Sequence, residues 1–231
     1  MEKNNLIITL KVRRIFFCLI LIIVLLVLLN LIGGMLVRNP IFLHKFHLDH
    51  EQNIPTYFSS LILLFSAGLL GIIAALERKK KKANSSYWAW LAFIFLFFSL
   101  DETAVLHEEM IIPLREALCA TGIFYFTWVI PGIIFILFFG ILFLRFFLQL
   151  PRETKFLFKI SAILYIGGAL GCDLFGGWFS FSFGEKNLIY FVITTIEETL
   201  EMTGVAVFIY ALLRYLCVNF KEVTFLIRDT E

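Results

Sequence analysis

The stretch Thr194-Thr195-Ile196-Glu197-Glu198-Thr199-Leu200-Glu201-Met202-Thr203-Gly204 sets three carboxylates inside a run long and apolar enough to cross a bilayer. Ionisable groups in such a run are costly, and by default they mark a functional site. On an insertion scale each central acid costs roughly 2.5–3.5 kcal/mol, so three cost about 9. The Leu, Ile, Val and Phe residues of the run return about 0.3–0.6 kcal/mol each, or about 4–8 in all. A helix here is marginal alone. It needs protonated carboxyls, a bound cation, a water-filled cavity or partners on other helices.

Composition gives the same class of protein. The chain is 60% hydrophobic and 16% charged, with 28 Phe residues. A soluble domain carries about 45–50% apolar and about 25% charged residues. Such an excess of apolar surface suits a bundle that faces lipid. Basic residues flank apolar runs and form no basic face of their own, so no nucleic-acid partner is expected. Cys18, Cys119, Cys172 and Cys217 lack zinc-type spacing and read as packing thiols, with a Cys119–Cys172 bridge as the alternative.

The chain is expected to be all-α, a single integral membrane domain over 1–231. Six spans are expected, at 15–37, 57–76, 87–109, 124–144, 160–181 and 188–213. The first follows Lys11, Arg13 and Arg14 but exceeds the about 7–15 residues of a signal core, and it lacks a cleavage site. Gly68 and Gly71 in the second span, and the Gly167/Gly171 pair in the fifth, read as small positions for close helix packing. Polar connections lie at 38–55 and 145–159. Of the 20 Lys and Arg residues, 16 fall on the side that also holds both termini. The positive-inside rule makes that side cytoplasmic, and the expected location is a cell inner membrane of bacterial type. Lys79 to Lys82 read as headgroup anchors.

At a rise of about 1.5 Å per residue, Asp101 sits about 21 Å and Asp173 about 20 Å above the inner face; Glu197 is about 13.5 Å below the outer face. Three helices therefore offer acids in overlapping layers. Tyr190, Thr194, Glu197, Glu201 and Gly204 follow one helical stripe. Asp101 and Glu108 share a face, with His107 beside them. Only Arg115 and Lys186 are near enough in sequence topology to offset these acids, which leaves a metal ion or shared protons.

Carboxylates with imidazole suit zinc, iron or manganese. The expected ligands are Asp101, His107, Glu108, Glu198 and Glu201. Glu102 or Glu197 is the expected general base, and Asp173 and Thr194 give polar support. The expected activity is metal-dependent hydrolysis or transfer on a lipid-linked or small membrane substrate. The alternatives are a proton- or cation-coupled transporter or channel, and a structural or accessory subunit. His44, His47 and His50 lie three apart and either extend a metal site or line a solvated loop. Oligomeric state is left open, and nucleophile-elbow, phosphate-loop and dinucleotide patterns do not occur.

The segment Ser99-Leu100-Asp101-Glu102-x4-His107-Glu108 resembles one in uncharacterised bacterial multi-pass membrane proteins. Glu197-Glu198-x2-Glu201-Met202-x-Gly204 is similar to a second segment of theirs. That resemblance implies a multi-span helical fold and carries no activity. The paired glutamates also resemble the E-E-x3-R motif of intramembrane CAAX-type proteases, but Met202 stands where that motif needs Arg.

Overall fold

The computed structural model describes residues 11–34, 40–82 and 84–220. The end of the expected first span at 35–37, and Lys3, Arg38, Lys221 and Arg228 of the charge count, lie outside the described residues. Among the described residues the chain is helical, without strands: α1 (Val12–Ile32), α2 (Pro40–Phe46), α3 (Ile54–Lys79), α4 (Ser85–Ala104), α5 (Leu106–Glu109), α6 (Ile111–Leu118), α7 (Val129–Gln149), α8 (Arg152–Ile166), α9 (Asp173–Phe183) and α10 (Leu188–Asn219). Five helices are long and apolar enough to cross a membrane: α1, α3, α7, the continuous rod 152–183 formed by α8 and α9, and α10. A sixth crossing arises if α4 and the bent segment after it are taken as one span.

Helix α10 is the axis of the bundle. It packs on α8, α1 and α3, while α7 stands at the periphery. Ile209, Ala211 and Leu212 of α10 are fully buried against Leu70 and Ile73 of α3, all in one core cluster. The outer faces remain apolar: Leu21, Ile141 and Ile163 are exposed, as lipid-facing residues must be.

Polar contacts fix the register between helices. In α3 and α4, Ser60 Oγ donates to the Ser99 carbonyl at 2.8 Å and Ser99 Oγ returns a bond to the Ser60 carbonyl at 2.9 Å. Asn30 of α1 donates to Thr195 Oγ1 of α10 at 2.9 Å. At the basic end, Tyr215 donates to the buried Glu77 at 2.9 Å, and Lys82 pairs with the same carboxylate at 3.1 Å.

Three local features differ from the sequence reading. The third span does not run straight through residue 109. It breaks at Val105, whose φ of 59° and ψ of 31° are left-handed, and the following helix turns by 67°. No proline or glycine marks this break; Asp101 causes it locally, by accepting the His107 backbone N–H at 3.0 Å in place of a helical carbonyl. Secondly, α8 begins at Arg152, directly after Pro151, so most of the expected 145–159 connection is helical. Arg152 lies at its first turn, where proline at the cap is well tolerated.

The third difference concerns glycines. Nothing lies within 4 Å of an added Cβ at Gly68, Gly71, Gly167 or Gly171. The close approaches are at Gly168, where a Cβ would meet the Glu197 carbonyl and Glu201 Cγ at 2.9 Å, and at Gly204, where it would meet Tyr165 N at 2.7 Å. Residues Gly167–Cys172 form a π-helical stretch. Its wider turn changes which side chains face α10, so a face read at the ordinary helical period selects the wrong glycine.

Candidate functional site

A cavity of about 500 Å³ opens at the end of the bundle away from the basic Arg78 to Lys82 turn. Each element brings its own acids to it. Helix α4 contributes Asp101 and Glu102 at its C-terminal end, and α5 contributes His107 and Glu108. Asp173 comes from the junction after the π-helical stretch. Thr194, Glu197, Glu198 and Glu201 come from the N-terminal half of α10. The structure thus brings to one cavity every residue that the sequence reading singled out for the site. Gly204, the last residue of the expected stripe, instead packs on α8, whose Ser161 donates to the Gly204 carbonyl at 2.8 Å.

Asp101 and His107 form the best-defined unit. His107 Nδ1 lies 2.9 Å from Asp101 Oδ2, while Asp101 Oδ1 accepts the His107 backbone N–H. A carboxylate can only accept there, so Nδ1 carries a proton and Nε2 is the free ring nitrogen. The imidazole packs on Trp128 with ring centroids 4.8 Å apart. Trp128 Nε1 donates in turn to the Asp173 carboxylate. Asp173 also shares a hydrogen bond with Glu197, which needs a proton between the two carboxyls.

Glu102, Glu198 and Glu201 differ from these. They are half-buried and line the cavity, and no described residue donates a hydrogen bond to them. The cavity lining contains no Lys or Arg. Thr194 is buried and donates to the Phe191 carbonyl of its own helix at 3.3 Å. Among the described residues, no three His, Cys, Asp or Glu side chains are grouped closely enough to hold a metal ion in this conformation.

The sequence reading gave no site role to four polar residues of the cavity: Asp49, Glu51, Trp128 and Tyr165. The first two lie in the loop between α2 and α3, which lines part of the cavity. Its fold is local. Asn53 caps α3 by accepting Thr56 N–H at 3.1 Å, its amide donates to the His47 carbonyl at 2.6 Å, and Thr56 Oγ1 donates to the His50 carbonyl at 3.2 Å. The Asn-x-Pro-Thr start of that helix was the available signal. His47 and His50 stack with centroids 4.3 Å apart, and His44 lies 6.4 Å from His50. His47 Nδ1 and Glu51 Oε2 are buried without a partner among the described residues.

Charges in this loop are displaced from their ordinary behaviour. Burial first, and Glu108 next, push Asp49 up to about 7. Burial and Glu108 also push Glu51 up to about 7. Burial, with His50 second, lowers His47 to about 4, and burial with His44 lowers His50.

A family model matches residues 16–216. The chain belongs to the family described as Domain of unknown function (DUF8692). The matched DUF8692 region takes in every residue of the cavity, from Asp49 to Glu201. No curated protein and no solved structure matches the chain.

Proposed function

We propose that the protein is a membrane-embedded hydrolase or transferase in which His107, oriented by Asp101, transfers protons to and from a lipid-linked or small membrane substrate. The observation that carries this reading is the double engagement of Asp101 by His107, which leaves Nε2 free at an acidic cavity. A carboxylate that fixes a histidine's tautomer and ring plane is how enzymes prepare imidazole for acid–base work or for metal binding. Glu102 and Glu197 are the general-base candidates, because each lines the cavity. Asp173 and Thr194 hold the surrounding polar framework.

A divalent ion, zinc, iron or manganese, suits Glu108, Glu198, Glu201 and His107 in donor chemistry. Binding one requires these side chains to close on a shared centre, because no three of them are grouped for it as they stand. The membrane arrangement belongs to the same proposal: six spans in a bacterial-type inner membrane, termini cytoplasmic, with the cavity opening outward. The excess of basic residues at the opposite end of the bundle supports it.

The test is direct. Full-length protein in nanodiscs is incubated with a bacterial lipid extract and the products are read by mass spectrometry. Wild type is expected to deplete one lipid class, and His107→Ala and Glu102→Gln are expected to lose that depletion by at least a hundredfold. Identical lipid profiles for all three proteins would overturn an enzymatic role. Chelator treatment and elemental analysis of the same sample report on the metal.

A second reading, a proton- or cation-coupled carrier, draws on Glu102, Glu198 and Glu201, which have no protein donor and so are free to exchange a proton or cation. Ion flux into proteoliposomes that disappears in Glu201→Gln would favour it.

A further inference from the structure

The cavity lining is not acidic throughout. One turn below Asp101 and Glu102 it becomes apolar, with Phe97 and Phe98 of α4 and with Pro131, Phe135 and Ile136 of α7. Toward the basic end these two helices are locked by rings, with Tyr87 stacked on Phe146 at 5.2 Å and Trp88 edge-on to Phe146 at 5.0 Å. Beside the cavity the seam holds one ring contact, Phe98 with Phe135 at 5.7 Å. Phe97 both lines the cavity and is 45% exposed. Phe93 lies one turn away on the same face of α4, is 60% exposed and lies outside the cavity, as does the exposed Phe138 of α7. The apolar wall therefore runs out into the lipid-facing surface between α4 and α7.

We propose that this cavity binds an amphiphile with an ammonium head and one hydrophobic chain, admitted from the bilayer between α4 and α7. The head lies among Glu102, Glu198 and Glu201, and the chain lies along Phe97, Phe98 and Phe135. The inference rests on the preceding reading only in taking the cavity as a ligand site. Three observations select this occupant. The three glutamates are half-buried, line the cavity and have no donor among the described residues, so a ligand carrying N–H groups or positive charge supplies what they lack. With no Lys or Arg in the lining, a phosphate or carboxylate head would meet only like charge and one histidine. The rings of Phe126, Trp128 and Tyr165 line the same cavity and give it aromatic surface suited to an organic cation. A volume near 500 Å³ is within the range of small-molecule sites, about 300–1,000 Å³, and the seam leads any longer chain out to lipid.

The experiment uses the full chain in nanodiscs and measures retention, above that of empty nanodiscs, of three probes. Dodecylammonium is the ligand mimic, dodecanol has the chain without the charge, and butylammonium has the charge without the chain. Dodecylammonium is expected to bind at least tenfold more tightly than either control. Glu198→Gln with Glu201→Gln is expected to remove that preference over dodecanol, and Phe135→Ala to remove the preference over butylammonium. Equal retention of dodecanol would show an apolar slot only, equal retention of butylammonium would show that the seam is not used, and either overturns the proposal. Both comparisons are made on wild type, so they decide even if a variant fails to fold. If dodecylammonium fails while the His107-dependent lipid turnover persists, this substrate class is wrong and the enzymatic reading stands; if it binds without turnover, the converse holds.

Discussion

Asn30 in the first helix donates a hydrogen bond to Thr195 in the last, 2.9 Å across 165 residues of sequence. The oxygen of the same side-chain amide accepts the Leu48 backbone N–H at 3.2 Å. One buried side chain thereby ties α1 to α10 and to the loop that brings Asp49 and Glu51 to the cavity.

Replacing Asn30 by Ala leaves Thr195 Oγ1 with only its own helix and leaves the Leu48 N–H without its partner. A buried donor left unpaired costs about 1–3 kcal/mol. Each kcal/mol shifts the melting temperature of a chain of this size by about 2–4 °C. Asn30→Ala is therefore expected to lower Tm by several degrees and to speed hydrogen exchange at Leu48 more than at residues of α3. Unchanged exchange at Leu48 would show that the loop is held by other contacts.

The glycines separate by contact, not by spacing. Gly168→Ala and Gly204→Ala each push a methyl group into backbone, and overpacking of this kind costs about 1–3 kcal/mol. Gly167→Ala and Gly171→Ala meet open space and are expected to be neutral or slightly stabilising. Thermal unfolding of the four variants in one detergent checks this. Equal loss in all four would place the helix contact elsewhere.

Val105 is β-branched and sits at φ 59°, a conformation that costs such a residue about 1–3 kcal/mol. Val105→Gly removes that strain and gives back part of it as unfolded-state entropy. A rise of about 2–4 °C in Tm is expected, with the His107 to Asp101 contact preserved, readable from the imidazole resonances. A fall in Tm would mean that the valine side chain contributes more packing than its backbone costs.

The cavity loop holds titrating groups of opposite sign. Asp49 and Glu51 have folded values raised to about 7 from 3.8 and 4.5, so the stability they allow is full below about pH 4 and is lost as pH rises through 7. His47 has its folded value lowered to about 4 from 6.5, so its contribution is full above 6.5 and is lost as pH falls through 4. With Asp49→Asn and Glu51→Gln together, protection of the Leu48 and Thr56 amides should rise from pH 4 to 6.5, because only the histidine contribution remains. With His47→Phe, the slope should reverse and protection should fall from pH 4 to 7. Hydrogen exchange corrected for intrinsic rates measures both, and slopes of one sign in both variants would contradict the assignment.

Much of this was written in the chain itself. Membrane-length apolar runs need no tertiary contact to declare themselves, because lipid demands helices whose backbone is satisfied internally. Acids within such runs stand out for the same reason, and Asp101, Asp173 and Glu197 could be set in overlapping layers by counting helical rise. The conformation decided what counting cannot reach. The break at Val105 comes from Asp101 competing for a backbone N–H six residues on, and that exchange turns His107 back onto the same carboxylate. The π-helical turn at Gly167–Cys172 shifts which glycine meets α10, and the loop closed by the cap at Asn53 brings Asp49 and Glu51 to the cavity. Each is a local choice between nearly equal hydrogen-bonding arrangements, and such choices are settled by packing against helices distant in sequence.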